Sequence, residues 1–149
     1  MQYTFQNYFA FVAVAGVMAL AGRASADLPP LSPEQMNRMS SHILTGKVLN
    51  IYTFVEKKKD FEVTHGLAEI QVGKMQKGKW DSPLVYVRFW RQKYTGKSGW
   101  VGPTGNHDIP KPGDKIRVFA KTAKDGGLTV LDPNGFAPEK TPATSRGNN

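Results

Sequence analysis

Two consecutive runs of strand-forming residues, 42–57 (HILTGKVLNIYTFVEK) and 60–76 (DFEVTHGLAEIQVGKMQ), constrain this chain more than any other feature. Both are rich in β-branched and aromatic side chains and lack helix stops, so with Lys58-Lys59 as the turn they read as one long antiparallel hairpin. A two-residue loop there pairs Leu49 with Ala68, Ile51 with Gly66 and Thr45 with Val72. That register gathers Ile43, Leu49, Ile51, Val55, Ala68, Ile70 and Val72 on one face and leaves Phe54, Phe61 and Val63 on the other. Side chains alternate with a period of two, so a flat ribbon buries only one of these sets. A bend at Gly46, Gly66 or a bulge allows both to be covered, which is how small barrels close.

The remaining elements are short. Pro29 and Pro30 mark residues 27–32 as an extended linker. Ser32-Pro33-Glu34-Gln35 then has the residues of a capping box with proline at the first helical position. This predicts a helix over about 33–40, with Met36 and Met39 spaced to pack, so that 27–41 forms a linker and short helix. Residues 84–94 (LVYVRFWRQKY) read as a third strand, 114–121 as a fourth after the turn Pro112-Gly113-Asp114, and 128–131 as a fifth after Asp125-Gly126-Gly127. Residues 138–149 are polar and Pro-containing and read as a mobile tail.

Five strands after a short helix, the first two of them long, predict an all-β domain over 42–137: a small, partly open five-stranded barrel. In strand count and length it resembles the OB-fold. It departs from that family between strands three and four, where a helix is common. Residues 95–113 hold five glycines and three prolines there, a composition that no helix survives. The resemblance is one of fold alone and implies no particular function.

The N-terminus reads as an address. Residues 9–21 (FAFVAVAGVMALA) are continuously apolar, too short a run to cross a bilayer, which needs ~20 residues. Ala24-Ser25-Ala26 supplies the small-x-small pattern of a signal-peptide cleavage site, so residues 1–26 are expected to be removed on export to the periplasm or medium. The n-region has no Lys or Arg, and an uncleaved anchor is the alternative. With no cysteine anywhere, disulfides, thiolate catalysis and Cys-ligated metal sites are excluded, and stability must come from packing.

The formal net charge of +8 is unevenly distributed. From Ile70 to His107 there are seven basic residues (Lys74, Lys77, Lys79, Arg88, Arg91, Lys93, Lys97) and one acid, Asp81. A region of one sign attracts anions, although lysines on an edge strand also serve to prevent aggregation. Aromatic residues interleave with these charges. In the third strand Val85, Val87 and Phe89 share one face, and Tyr86, Arg88 and Trp90 share the other. Tyr94 and Trp100 continue the ring series into the Gly-rich loop, which Trp100 is expected to anchor as an ordered wall; burial of Trp90 against Trp100 with no ligand is the competing account.

Rings stack on sugars or bases, and arginine pairs with sulfate, phosphate or carboxylate. The candidate ligand-binding set is therefore Tyr86, Arg88, Trp90, Arg91, Lys93, Tyr94, Lys97 and Trp100. The expected function is that of an exported, monomeric, non-catalytic binding module for an anionic polymer, such as an acidic glycan or cell-envelope component, or for an acidic protein. Export weighs against nucleic acid. The alternatives are a module that pairs with another chain through an exposed edge strand and an enzyme of unknown class.

Catalysis finds little support. There is no G-x-S-x-G, and the adjacent His107 and Asp108 point apart in an extended segment. Nothing marks a pair among the twelve acids as the two carboxylates of a glycosidase. His42, His65 and His107 show no metal-ligand spacing, and neither a metal nor another cofactor is expected.

Overall fold

A computed structural model describes residues 28–97, 99 and 102–139. The expected export segment, Trp100 and residues 140–149 lie outside that set. A helix, α1 (Pro33–Met39), precedes six strands: β1 (His42–Lys58), β2 (Phe61–Lys77), β3 (Leu84–Tyr94), β4 (Lys115–Thr122), β5 (Leu128–Val130) and β6 (Phe136–Pro138). Among the described residues no helix is long and apolar enough to cross a membrane.

The capping box forms as the sequence predicts. Ser32 Oγ accepts from the Gln35 N–H at 3.2 Å, and Gln35 Oε1 accepts from the Ser32 N–H at 2.8 Å. Seven residues are too few for a helix to persist on propensity alone. Met36 holds it down, packed with Ile43, Phe119 and Leu131 in a small apolar cluster. Met39 does not pack with it and is 52% exposed, because the helix stops there and Ser40 turns the chain into β1.

Five of the strands close into a ring in the order β1-β2-β3-β5-β4 and back to β1, as the expected small all-β fold requires. Every seam is antiparallel except β3–β5, which is parallel and spans only Val87–Leu128 and Arg88–Thr129. The sixth strand is an addition to the expectation. Phe136-Ala137-Pro138 pairs with β4 beside β5, but three residues ending in proline carry too little pattern to read as a strand. Glu139 continues it, donating its N–H to Lys115 O at 3.0 Å.

The hairpin turns at Lys59-Asp60, not Lys58-Lys59, so its pairs are Ile51↔Ala68, Thr45↔Lys74 and Gly46↔Val72. A slip of two residues keeps each side chain on its expected face near the turn. The bend also forms, through register shifts at Ile43/Leu44, Thr45/Gly46 and Val48/Asn50. The core inside the ring comprises Leu44, Val48, Ala68, Ile70, Val85, Val87, Phe89, Ile116, Val118, Ala120, Leu128, Val130 and Phe136. Each large aliphatic fully buried there contributes about 1.5–3 kcal/mol from desolvation. Gly66 is required at its position, since a Cβ would enter the Phe89 ring.

Of the expected hairpin positions, Leu49, Ile51, Phe61 and Val72 are half-buried and two are exposed, Val55 at 47% and Phe54 at 67%. The reason is topological. β4 pairs with β1 only up to Lys47, so among the described residues 50–58 pair with β2 alone and no strand lies across the ring from the hairpin tip. β3, by contrast, is not an edge strand. Its outer side is covered by β5 at Val87-Arg88 and by a bridge from Arg91 to Gly105.

That bridge belongs to the Gly/Pro-rich connection between β3 and β4, whose second half is pinned to the barrel by a buried asparagine. Asn106 is 1% exposed. Its N–H donates to Trp90 O at 2.8 Å, its Oδ1 accepts from the Trp90 N–H at 3.2 Å, and its Nδ2 donates to Leu131 O at 3.0 Å. Gly105, at φ +80°, permits the approach, because a Cβ there would collide with Trp90 O.

Candidate functional site

The alternation predicted for the third strand is present. Val85, Val87 and Phe89 are 0%, 0% and 4% exposed, while Tyr86, Arg88 and Trp90 point outward. The register then fixes their neighbours. Tyr86 lies beside Glu69, Arg88 beside Leu67, Trp90 beside His65 and Tyr94 beside Phe61. Across the next seam, Glu69 faces Asn50, Leu67 faces Tyr52 and His65 faces Phe54. The outward face of β1–β2–β3 therefore carries the rings of Tyr52, Phe54, Phe61, Tyr86, Trp90 and Tyr94. Three of them are well exposed: Tyr52 at 52%, Phe54 at 67% and Tyr86 at 46%.

Glu69 organises this face. Its Oε2 accepts from Asn50 Nδ2 at 2.7 Å and Tyr52 Oη at 2.9 Å, and its Oε1 accepts from Tyr86 Oη at 3.2 Å. Asn50 and Tyr52 hold the Glu69 carboxyl below its ordinary pKa. In turn the carboxylate raises both phenols, Tyr52 chiefly through the hydrogen bond and Tyr86 chiefly through its charge. Two ring edges are thereby oriented while their faces remain open to solvent. Phe61 and Tyr94 pack against each other, centroids 5.2 Å apart and planes tilted by 58°.

The other predicted members divide. The Arg88 guanidinium is engaged by both oxygens of Asp125, at 2.8 and 2.6 Å, and that charge-assisted pair pulls the Asp125 carboxyl down to about 2. Trp90 is half-buried and donates its indole N–H to Asp132 Oδ2 at 3.0 Å, so one edge is tied to the chain; its expected packing against Trp100 lies outside the described residues. Asp132 Oδ1 is buried without a hydrogen-bond partner among the described residues. Arg91 and Lys93 are exposed on the opposite face from the rings, as alternation requires, opposite Thr64 and Glu62. Lys97 is exposed in the loop, and Trp100 lies outside the described residues.

Four predicted residues thus form one outward row (Tyr86, Arg88, Trp90, Tyr94), and three basic ones fall elsewhere. The ring-bearing face is also less cationic than charge counted along the chain implies. Glu56, Glu69, Asp125 and Asp132 reach it, against Lys58 and Arg88, and Glu56 sits 3.4 Å from Lys58 and 3.5 Å from His65. Sequence reasoning missed Tyr52, Phe54 and Glu69 as members. The i, i+2 spacing of Tyr52 and Phe54 was a visible signal; the contribution of Glu69 required the register. Among the described residues no three His, Asp or Glu side chains gather as a metal site. No protein-family model matches the chain, and no curated protein matches it in sequence.

Proposed function

We propose that the protein is an exported, non-catalytic binding module that receives a polymeric ligand on the outward face of β1–β2–β3, with an acidic glycan of the cell envelope as the ligand class. The observation that carries this reading is the trio of exposed rings, Tyr52, Phe54 and Tyr86, on one face, two of them, Tyr52 and Tyr86, hydrogen-bonded to the Glu69 carboxylate. Exposed ring clusters on small domains mark interaction sites, and OB-type barrels use this strand face for oligosaccharides and oligonucleotides. Rings supply stacking surfaces, while Glu69 and Asn50 supply an acceptor and a donor for hydroxyls. Replacing Tyr52, Phe54 and Tyr86 singly by alanine is expected to weaken binding of an oligogalacturonide by about two- to tenfold each. Parent-like affinity in all three folded variants overturns the reading.

A second reading has its own observation. Beyond Val48 the outer edge of β1 is unpaired among the described residues and bears apolar side chains on both faces, Phe54 on one and Val55 on the other. Such an edge accepts a strand from another chain. The edge is on β1, not on the third strand. Val55→Lys places a charge on the face away from the rings and blocks strand addition. Under the glycan reading this variant binds like the parent; under the strand-pairing reading it loses its partner.

A further inference from the structure

The outward face of β1 does not end at the rings. Followed toward its N-terminus it carries Lys47, which is flanked by Gln71 of β2 and by Lys115 of β4. One step further, Thr45 is flanked by Lys74 and Arg117. All four cations are exposed, and none has an ion-pair partner among the described residues. Lys47, Lys74 and Lys115 line a cleft of about 510 Å³ together with Gly46 and Gly73, and an adjoining one of about 450 Å³ is lined by Lys74 and Arg117. Among the described residues the one carboxylate that lines either cleft is Glu139.

Protection of a sheet edge does not account for this cluster. Lys47 is paired on both sides, with β2 and β4, and Arg117 likewise, with β1 and β6, so neither guards an open edge; Lys74 alone lies beyond the end of β3, where β2 pairs only with β1. Like charges directly opposite on adjacent strands are destabilising. Lys47 and Lys115 are such a pair, so the arrangement costs stability without a structural return. A polyanion lying in the cleft removes the repulsion and supplies the missing counter-charge.

We infer that the Lys47–Lys74–Lys115–Arg117 cleft is an anion-binding subsite for the carboxylate or sulfate groups of an acidic glycan whose sugar rings continue onto Tyr52 and Tyr86. This inference rests on the binding function proposed above and names the part of the ligand that carries its charge. Lys47 and Tyr52 are five residues apart on one strand, roughly 15 Å, a span an oligosaccharide covers. The two subsites share the work: the cleft holds charge and the rings hold sugar faces.

The test uses two double variants, Lys47→Gln/Lys115→Gln and Tyr52→Ala/Tyr86→Ala, titrated by calorimetry at several salt concentrations. The probes are a heparin-derived octasaccharide, an oligogalacturonide and inorganic polyphosphate. The lysine variant is expected to lose at least about tenfold in affinity for either acidic glycan and to lower the slope of log affinity against log salt by about two, one for each charge removed. The ring variant is expected to lose affinity with its slope unchanged. The lysines are exposed and mutually repulsive, so the lysine variant melts no lower than the parent. If it binds both glycans with parental affinity and slope while the ring variant fails, the subsite is overturned and the ring-face reading stands. If the lysine variant fails and the ring variant does not, the ring face is overturned and the cleft stands alone. Polyphosphate bound more tightly than either glycan, lost in the lysine variant and untouched in the ring variant, overturns the glycan assignment in favour of a phosphate chain.

Discussion

Asn106→Ala is the perturbation whose consequence can be worked most fully from the structure. The substitution deletes an Oδ1 that accepts from the Trp90 N–H at 3.2 Å and an Nδ2 that donates to Leu131 O at 3.0 Å, at a residue 1% exposed. The Trp90 N–H is left without a partner, which costs about 1–3 kcal/mol, whereas Leu131 O still accepts from the Gly135 N–H at 2.9 Å and loses one hydrogen bond worth about 0.5–1.5 kcal/mol. The 3.2 Å bond is long, which places its loss toward the lower end, so the sum is about 2–3 kcal/mol. In a domain of about a hundred residues 1 kcal/mol moves the melting temperature by about 4–8 °C, and the variant is expected to melt roughly 10–25 °C lower. The same change should release the second half of the connection between β3 and β4, so the Gln92 and Asn106 amides, bonded to Thr104 O and Trp90 O, lose protection from hydrogen exchange. Thermal unfolding followed by circular dichroism and exchange read by NMR make the measurement. A variant that melts like the parent and keeps those amides protected refutes the reasoning, because something other than Asn106 would then hold the loop on β3.

Two further outcomes concern the charged groups of the ring face. Asp125, held at about 2 by Arg88, contributes stability that is complete above its ordinary value of 3.8 and is lost as pH falls from there toward 2. Asp125→Asn should flatten the dependence of melting temperature on pH in that window, and an unchanged profile contradicts the pairing. Glu69→Gln removes the charge that raises Tyr52 and Tyr86, so their phenols should ionise at lower pH in an ultraviolet titration. Unshifted tyrosine titration would show that the carboxylate does not organise the two rings.

Local pattern made much of the fold legible. Ser32 through Gln35 announced the helix start, and the alternation of Val85, Val87 and Phe89 with Tyr86, Arg88 and Trp90 set the inside and outside of β3 before any pairing was known. What stayed hidden depends on contacts between distant residues. The hairpin register slipped by two because Lys58-Lys59 and Lys59-Asp60 are both chemically acceptable as a two-residue turn, and that slip decides whether Glu69 stands next to Asn50. Arg88 and Asp125 are 37 residues apart, and nothing local signals that the arginine is already paired. Charge counted along the chain stopped at Ile70, one residue past Glu69, and grouped Arg91 and Lys93 with rings from which alternation separates them. The opposition of Lys47 and Lys115 arises only when β4 closes the ring.

The central claim is that a ligand lies along the outward side of β1, β2 and β3. A two-dimensional NMR titration of the protein with an oligogalacturonide reads that most directly, residue by residue. We predict that the perturbed resonances trace Lys47, Asn50, Tyr52, Phe54, Glu69 and Tyr86, leaving α1 and β6 unmoved. Perturbations confined to α1 and β6, or none at saturating sugar, would contradict the account.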